Sequence, residues 1–269
     1  SHKPDDLLND WALQQFSAGD QARGDLLLTR LFTDYPASPH AGAARLLVAR
    51  GHAAGGRSQE ARDLFRSIQD DSGIDAAIKR ESLAAWMNFE TQVQNWAESG
   101  RLARAVLDTP GVAKSDALYA RFRMGESQLQ LGEVDAALTA LTELRVDPAT
   151  REESWKDELD LLWAEGKLLK KDYEPIREVL GELLTAHPAG LTSDLAHEIL
   201  GRVDRNESLF PEARSHFEKV VNSPTSAKST LAARAQLQIG DTFFLEKKFD
   251  DAMIAYTSVH ANYNFPEIE

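Results

Sequence analysis

The chain has 269 residues, of which 43 are acidic and 30 are basic, so its net charge is −13. This balance disfavours nucleic acid as a partner, because phosphate binding needs a basic surface, and it suits either basic partners or solubility alone. The absence of cysteine excludes disulfides, thiolate metal sites and a cysteine nucleophile, and apolar runs such as 26–28 are too short to span a bilayer.

Similar apolar contexts recur along the chain around one reference position, which usually holds a small residue. These positions are 12, 49, 88, 125, 164, 201 and 240, and their spacing alternates between 37 and 39 residues. The spacing predicts seven units, with pairs of units forming a higher repeat of 76 residues. The predicted units are residues 5–41, 42–80, 81–117, 118–156, 157–193, 194–232 and 233–269.

Each unit has the pattern of two amphipathic helices joined by a short turn. Apolar residues recur at steps of three and four, and the second helix carries a small residue followed four later by a large one, as in Ala213 and Phe217. Prolines such as Pro36 fall between units, where they end a helix. The chain is therefore expected to be almost entirely helical.

The third unit departs most from this pattern. Asn88 stands at the reference position, Gly100 replaces the small residue of the second helix, and Arg104 replaces the large apolar residue. Because these residue types do not suit a packed helix pair, the register of residues 84–110 stays open at this stage.

The stretch 233–260 resembles one tetratricopeptide repeat. Gly240 and Ala252 match the small residues at the helix crossing, and Phe243, Phe249 and Tyr256 match the aromatic residues that fill the gap. The resemblance extends over essentially the whole chain. It implies an all-α fold, an alpha-alpha superhelix of about seven helix-turn-helix units, in a single solenoid over residues 1–269.

The joint between the first two units, residues 31–41, contains Tyr35-Pro36-Ala37-Ser38-Pro39. It resembles joints in bacterial cell-envelope tetratricopeptide proteins, such as outer-membrane assembly lipoproteins and the coordinator of the Tol-Pal system. This implies a periplasmic or envelope-associated adaptor, with the cytoplasm as the alternative.

Because the chain stops at 265–269, where an eighth unit would begin, we expect it to be part of a longer protein.

No stretch has the spacing of a catalytic or cofactor-binding motif. Residues 51–56 are rich in glycine but lack the lysine of a phosphate-binding loop, and His197-Glu198 has no second histidine one turn later. The acidic cluster at 152–160 is interpreted as a solvated helix start. We therefore expect neither an enzyme nor a bound metal or cofactor.

The resemblance implies that the first helices line a concave groove, and this groove is the predicted protein-binding site. Phe89, Tyr119 and Phe122 either form an exposed apolar patch there or pack between neighbouring first helices. The predicted function is a non-catalytic scaffold that binds a protein or peptide; the alternative is an oligomerisation element that stacks through uncapped ends. The predicted groove residues are Leu13, Arg50, Phe89, Gln92, Tyr119, Phe122, Glu126, Gln130, Glu165, Arg202, Arg205, Asn206, Asp241 and Phe244.

Overall fold

The computed structural model describes residues 3–263, and this part of the chain is built from fourteen α-helices, one short 3₁₀ helix at 148–150, and no strand. The expected all-α fold of helix pairs is therefore confirmed. The helices are α1 (Pro4–Ser17), α2 (Gln21–Asp34), α3 (Ala41–Ala54), α4 (Ser58–Asp70), α5 (Ala76–Gln92), α6 (Trp96–Leu107), α7 (Lys114–Gln130), α8 (Val134–Val146), α9 (Lys156–Leu169), α10 (Glu174–Ala186), α11 (Leu191–Asn206), α12 (Phe210–Val221), α13 (Thr230–Leu245) and α14 (Phe249–Asn262).

The chain divides into two compact units, Ser1–Glu133 and Val134–Glu269. Inside each unit, every helix packs against the next, and first helices also pack side by side: α3 on α5 and α5 on α7, then α9 on α11 and α11 on α13. Each unit thus has a layer of first helices and a layer of second helices. A single continuous solenoid stays a prediction, and the stretch 265–269 lies outside the described residues.

The same turn ends the first helix of all seven pairs in the described part of the chain. Its central residue has a positive φ, its N–H bonds to the carbonyl three residues earlier, and the next N–H bonds to the carbonyl five residues earlier. This Schellman arrangement satisfies the last carbonyls of the first helix and starts the second. The central residues are Gly19, Gly56, Gln94, Gly132, Lys171, Ser208 and Lys247.

The turns settle the register of the third pair. In six pairs the central turn residue lies seven positions after the predicted reference residue, but Gln94 lies six after Asn88. The reference residue is therefore Met87, so the spacings are 37, 38, 38, 39, 37 and 39, and the predicted strict alternation of 37 and 39 is wrong. Ser99 and Ala103, both fully buried, take the places predicted for Gly100 and Arg104.

The bulky and small residues are exchanged in this third pair. Met87 is buried on the first helix, where the other pairs have Ala, Gly or a similarly small residue, whereas Ala103 holds the place of the large side chain on the second helix. The total volume at the crossing is thereby kept, which is what a close-packed interior requires. The sequence pattern is hard to recognise here because the exchange leaves neither position with its expected residue type.

Helix pairs cross closely where a first-helix glycine meets a second-helix ring. A Cβ atom on Gly201 would lie 2.6 Å from Cε1 of Phe217, and one on Gly240 would likewise overlap the ring of Tyr256. The two predicted crossings are therefore confirmed as close contacts of backbone and ring. The absent side chain lets Phe217, which is fully buried, fill the space between α11 and α12.

Successive pairs are joined by a second-helix arginine and a first-helix carboxylate. Arg62 of α4 donates two hydrogen bonds of 2.8 Å to Glu90 of α5, which also accepts from Trp86 and Asn95. Glu90 is 0% exposed; burial acts to raise its pKa, but these donors lower the pKa below its usual value. The Glu90 carboxylate therefore stays charged inside the protein, because Arg62, Trp86 and Asn95 donate hydrogen bonds to it.

We expect Gly201→Leu to lower the free energy of unfolding by about 1–3 kcal/mol, because the new side chain overpacks the crossing with Phe217. Urea denaturation at constant m-value measures the change. Gly181→Ala is the matched control, since Gly181 is also helical but has open space around its Cβ position. The control should raise the free energy of unfolding by roughly 0.5–1 kcal/mol. An equal change in the free energy of unfolding for both variants would contradict a close crossing of α11 and α12 at Gly201.

We expect Lys171→Gly to raise the free energy of unfolding, because Lys171 has φ +58°, where an L side chain is strained. The expected gain is about 0.5–1 kcal/mol after the extra chain entropy of glycine is subtracted. Lys170→Gly is the control, because Lys170 has φ −83° and belongs to the same turn. It should lose stability by a similar amount in thermal and urea denaturation. If Lys171→Gly also lowered the free energy of unfolding, this turn would lack the left-handed geometry.

Candidate protein-binding surface on the first helices

Arg50 of α3 forms an ion pair with Glu81 of α5, at 3.0 Å between Nη1 and Oε1, and both side chains are about half exposed. The bond therefore joins neighbouring first helices on the solvent side of their layer. Three other predicted residues of this unit, Leu13, Gln92 and Gln130, are exposed on α1, α5 and α7 respectively. These four predicted residues are therefore available at the surface, although Arg50 already has Glu81 as an ion-pair partner.

The two predicted phenylalanines of the first unit are buried. Phe89 is 4% exposed and Phe122 is 1% exposed, so neither contributes to an exposed apolar patch. Phe89 packs 6.4 Å from Phe65, ring centroid to ring centroid, and belongs to the same core as Trp86. The exposed patch is thus wrong for both rings, and Phe89 packs against the second helix α4 rather than between neighbouring first helices. For Phe89, the one-residue register shift is the reason, because it turns this side chain from the groove position into the core.

Arg123, which the sequence analysis did not single out, organises the other residues of α7. Its guanidinium lies 4.9 Å from the ring centroids of both Tyr119 and Phe122, its Nε donates to Tyr119 Oη at 2.9 Å, and its Nη1 donates to Glu126 at 2.7 Å. The structure therefore brings Tyr119, Phe122 and Glu126 together around one cation. The spacing of 119, 123 and 126, one helical turn apart each time, is a signal that could have revealed the cluster.

In the second unit, α9 and α11 present a charged group made of one arginine and two carboxylates. Arg202 Nη1 lies 2.7 Å from Glu165 Oε1 and 3.3 Å from Glu198 Oε2. Glu198 is mostly buried, and burial raises its pKa while Arg202 acts in the opposite direction. Glu165 and Arg202 were predicted for the site, whereas Glu198 was missed because a glutamate four residues before an arginine reads as an ordinary helix pair.

The charged group continues from α11 to α13. Arg205 donates to Gln238 and lies 3.9 Å from Asp241 Oδ2. Asp241 also accepts a hydrogen bond of 2.9 Å from Tyr256 Oη, and burial together with this carboxylate raises the pKa of Tyr256 to about 12. Because Tyr256 is the ring that lies across Gly240, the close crossing of α13 and α14 also fixes a carboxylate of the surface.

An exposed aromatic pair lies at the end of α13. Phe244 is 55% exposed and contacts Phe249 edge to face, with 5.5 Å between ring centroids. Asn206, at the end of the neighbouring helix α11, is also exposed. We call the whole set the α9–α11–α13 surface; its residues are Glu165, Glu198, Arg202, Arg205, Asn206, Asp241 and Phe244. It offers oriented charges beside an apolar anchor, a composition typical of protein interfaces.

Within residues 3–263, no group of three or more histidine, aspartate or glutamate side chains could hold a metal ion. In the same part of the chain, every helix is too short or too polar to cross a bilayer.

One family model, described as a tetratricopeptide repeat, matches residues 119–147, which lie inside the predicted fourth unit. No curated protein sequence matches the chain. Among solved structures, a tetratricopeptide repeat protein from Parabacteroides merdae is similar over 98% of this chain and 95% of its own, with 14% identity and a TM-score of 0.71.

Two further structures are similar at low identity. The apo form of RapI covers 99% of this chain and 79% of its own, with 8% identity and a TM-score of 0.68. MamA from Desulfovibrio magneticus covers 68% of this chain and 93% of its own, with 14% identity and a TM-score of 0.52. At these identities the likeness concerns the fold alone. The chain thus contains a tetratricopeptide repeat at residues 119–147, within a fold of the kind found in tetratricopeptide repeat proteins.

Proposed function

We propose that the protein is a non-catalytic scaffold whose α9–α11–α13 surface binds a segment of a partner protein. The observation that carries the proposal is the alignment of Glu165, Arg202, Arg205 and Asp241 from three successive first helices, with the exposed ring of Phe244 beside them. Helix repeats of this fold generally serve as scaffolds for other proteins. A surface built from parallel helices presents its groups in a row, which suits an extended segment.

The charged groups of the surface contribute more to the choice of partner than to the free energy of binding. Each cation already has an acidic partner within 4 Å, so a ligand gains only if its own groups improve on these pairs. Phe244 is different, because its ring is largely solvated and gains by being covered. We therefore assign orientation and selection to the ion pairs and most of the binding free energy to the aromatic edge.

The charge of the second unit favours a basic partner segment. Residues 134–269 hold 25 acidic and 15 basic residues, which is a net charge of −10 out of −13 for the chain. Such an excess attracts cationic segments and repels acidic ones at moderate salt. We extend the proposal to a basic or neutral segment with one bulky apolar side chain.

The compartment stays a prediction. The Tyr35-Pro36-Ala37-Ser38-Pro39 joint favours the periplasm or the cell envelope, with the cytoplasm as the alternative. Fractionation of bacterial cells that express the protein tests this, and recovery of the protein in the cytoplasm alone would contradict an envelope role.

We expect Phe244→Ala to weaken binding of peptides selected from a phage-displayed library by about tenfold or more, the effect of losing a central aromatic anchor. Fluorescence anisotropy of the selected peptides measures the affinity. Leu191→Ala is the control, because Leu191 is equally exposed but lies at the opposite end of α11 from Asn206. Selected peptides that bind the wild type, Phe244→Ala and the control alike would place the site elsewhere.

A second candidate function is self-association through the first and last helix pairs described. Trp11 on α1 and Leu26 on α2 are 55% and 69% exposed, and Met253 and Ile254 on α14 are 63% and 65% exposed. Large apolar side chains so exposed near each other mark interaction surfaces. This observation favours a contact between the α14 face of one copy and the α1–α2 face of another.

If this association occurs, the mass measured by light scattering rises with protein concentration, and Ile254→Asp returns it to that of the monomer because a charge then enters the apolar contact. Phe244→Ala should leave the association intact, whereas Ile254→Asp should leave peptide binding intact. A monomer at all concentrations excludes the second candidate without affecting the first.

A further inference from the structure

Two histidines join the helices of one pair in the second unit. Nδ1 of His197 on α11 lies 2.9 Å from Nδ1 of His216 on α12, and the ring centroids are 5.0 Å apart. At this distance one Nδ1 donates a proton and the other accepts it. The hydrogen bond therefore exists only while at least one of the two imidazoles is neutral, and double protonation replaces it with two like charges.

The groups that face the pair favour, on balance, the neutral rings. On α11, Asp194 acts to raise the pKa of His197, and its Oδ2 accepts hydrogen bonds of 2.6 Å from Ser223 and from Ser226. Lys219 on α12 adds a positive charge near both rings.

Asp204 on α11 is the carboxylate nearest to His216, at 3.6 Å between Oδ2 and Nε2, which is beyond hydrogen-bond length. Its Oδ1 is occupied by Arg177 of α10 at 2.5 Å. The guanidinium of Arg177 thus offsets the attraction that Asp204 would have for an imidazolium.

Burial and these cations have the same effect on both rings. Burial first, and Lys219 second, lower the pKa of His197 and that of His216 from 6.5 to about 4. Both imidazoles are therefore neutral in the folded protein at neutral pH, which is the state that the hydrogen bond requires.

We propose that the His197–His216 pair is an acid-sensitive latch that ties α11 to α12 and so regulates the α9–α11–α13 surface. The part of this proposal that concerns the surface rests on the proposed function. The link is direct, because α11 carries Arg202 and Arg205, and Glu198 adjoins His197 in sequence. Opening of the α11–α12 pair separates these residues from Glu165 on α9 and Asp241 on α13.

The sign of the pH effect follows from the two states. Histidines of an opened pair regain the ordinary pKa of 6.5, so between pH 6.5 and about 4 the open state binds up to two more protons than the closed state. Lowering the pH by one unit in this range favours opening by up to about 10-fold for each histidine. Stability of the pair is fully present above pH 6.5 and is lost as the pH falls.

Two carboxylates of α11 act in the opposite direction. Burial raises the pKa of Asp204 against the effect of Arg177, and burial raises the pKa of Glu198 against the effect of Arg202. Such groups bind protons more tightly in the closed state, so acid favours closure through them. The latch must therefore be measured as a difference between the wild type and a variant without the two histidines.

Hydrogen–deuterium exchange of the α11 and α12 amides, corrected for intrinsic exchange, measures opening between pH 6.5 and about 4. The variant His197→Asn/His216→Asn keeps a hydrogen-bonding pair that does not titrate. Across this interval we expect the opening constant of the wild type to rise at least 10-fold more than that of the variant. The control His187→Asn, at an exposed histidine paired with Asp157, should behave as the wild type.

Identical pH dependence of the wild type and the double variant overturns the latch. If the double variant does not fold, side-chain NMR titration of the wild type decides instead: His197 and His216 should titrate near pH 4, and titration of both near the ordinary value of 6.5 overturns the proposal. Neither measurement involves a bound peptide, so failure of the latch is distinct from failure of the proposed function. That failure shows as an absence of peptide binding at neutral pH, where the latch is closed.

Discussion

The fold depends on close approach of two helices at a point where one of them has almost no side chain. At Gly201 and Gly240 the backbone of the first helix lies against an aromatic ring of the second, closer than any Cβ would permit. This contact lets a short turn join the helices, because the two axes need not diverge to make room. A helix pair of this kind cannot bury its remaining apolar face alone, so it must pack against the next pair.

Packing between pairs adds an electrostatic constraint to the apolar one. Arg62 with Glu90, and Arg177 with Asp204, occupy equivalent positions in two of the joints between pairs. At the equivalent position Arg214 lies 4.3 Å from the ring centroid of Phe243, and its carboxylate partner is Glu246 instead. A buried carboxylate such as Glu90 is costly unless its partners are all present. The arginine therefore specifies which face of the next first helix is placed inward, and the apolar contacts supply most of the stabilisation.

The sequence was sufficient to predict the helix pairs, their order and the crossings at Gly201 and Gly240, because small residues at fixed spacing leave few ways to pack. It was insufficient where bulk is exchanged between helices, as with Met87 and Ala103, since the pattern then loses both of its markers. It was also insufficient for the exposure of Phe122, which depends on neighbouring helices and not on its position along α7. Glu198 and Arg123 were missed because ion pairs within one helix look the same in sequence whether solvated or buried.

The crossing that makes the fold also limits how the α9–α11–α13 surface can rearrange. Tyr256 can hold Asp241 only because Gly240 admits its ring, and Arg202 can bridge Glu165 and Glu198 only while α11 keeps its place beside α9. The charged side chains of the surface are therefore held in place, so the proposed binding of a partner segment would cost little conformational entropy. A change that moves α11, such as the proposed protonation of its histidine pair, must then alter several contacts together, because Arg202, Arg205 and Asp241 each have a partner on a neighbouring helix.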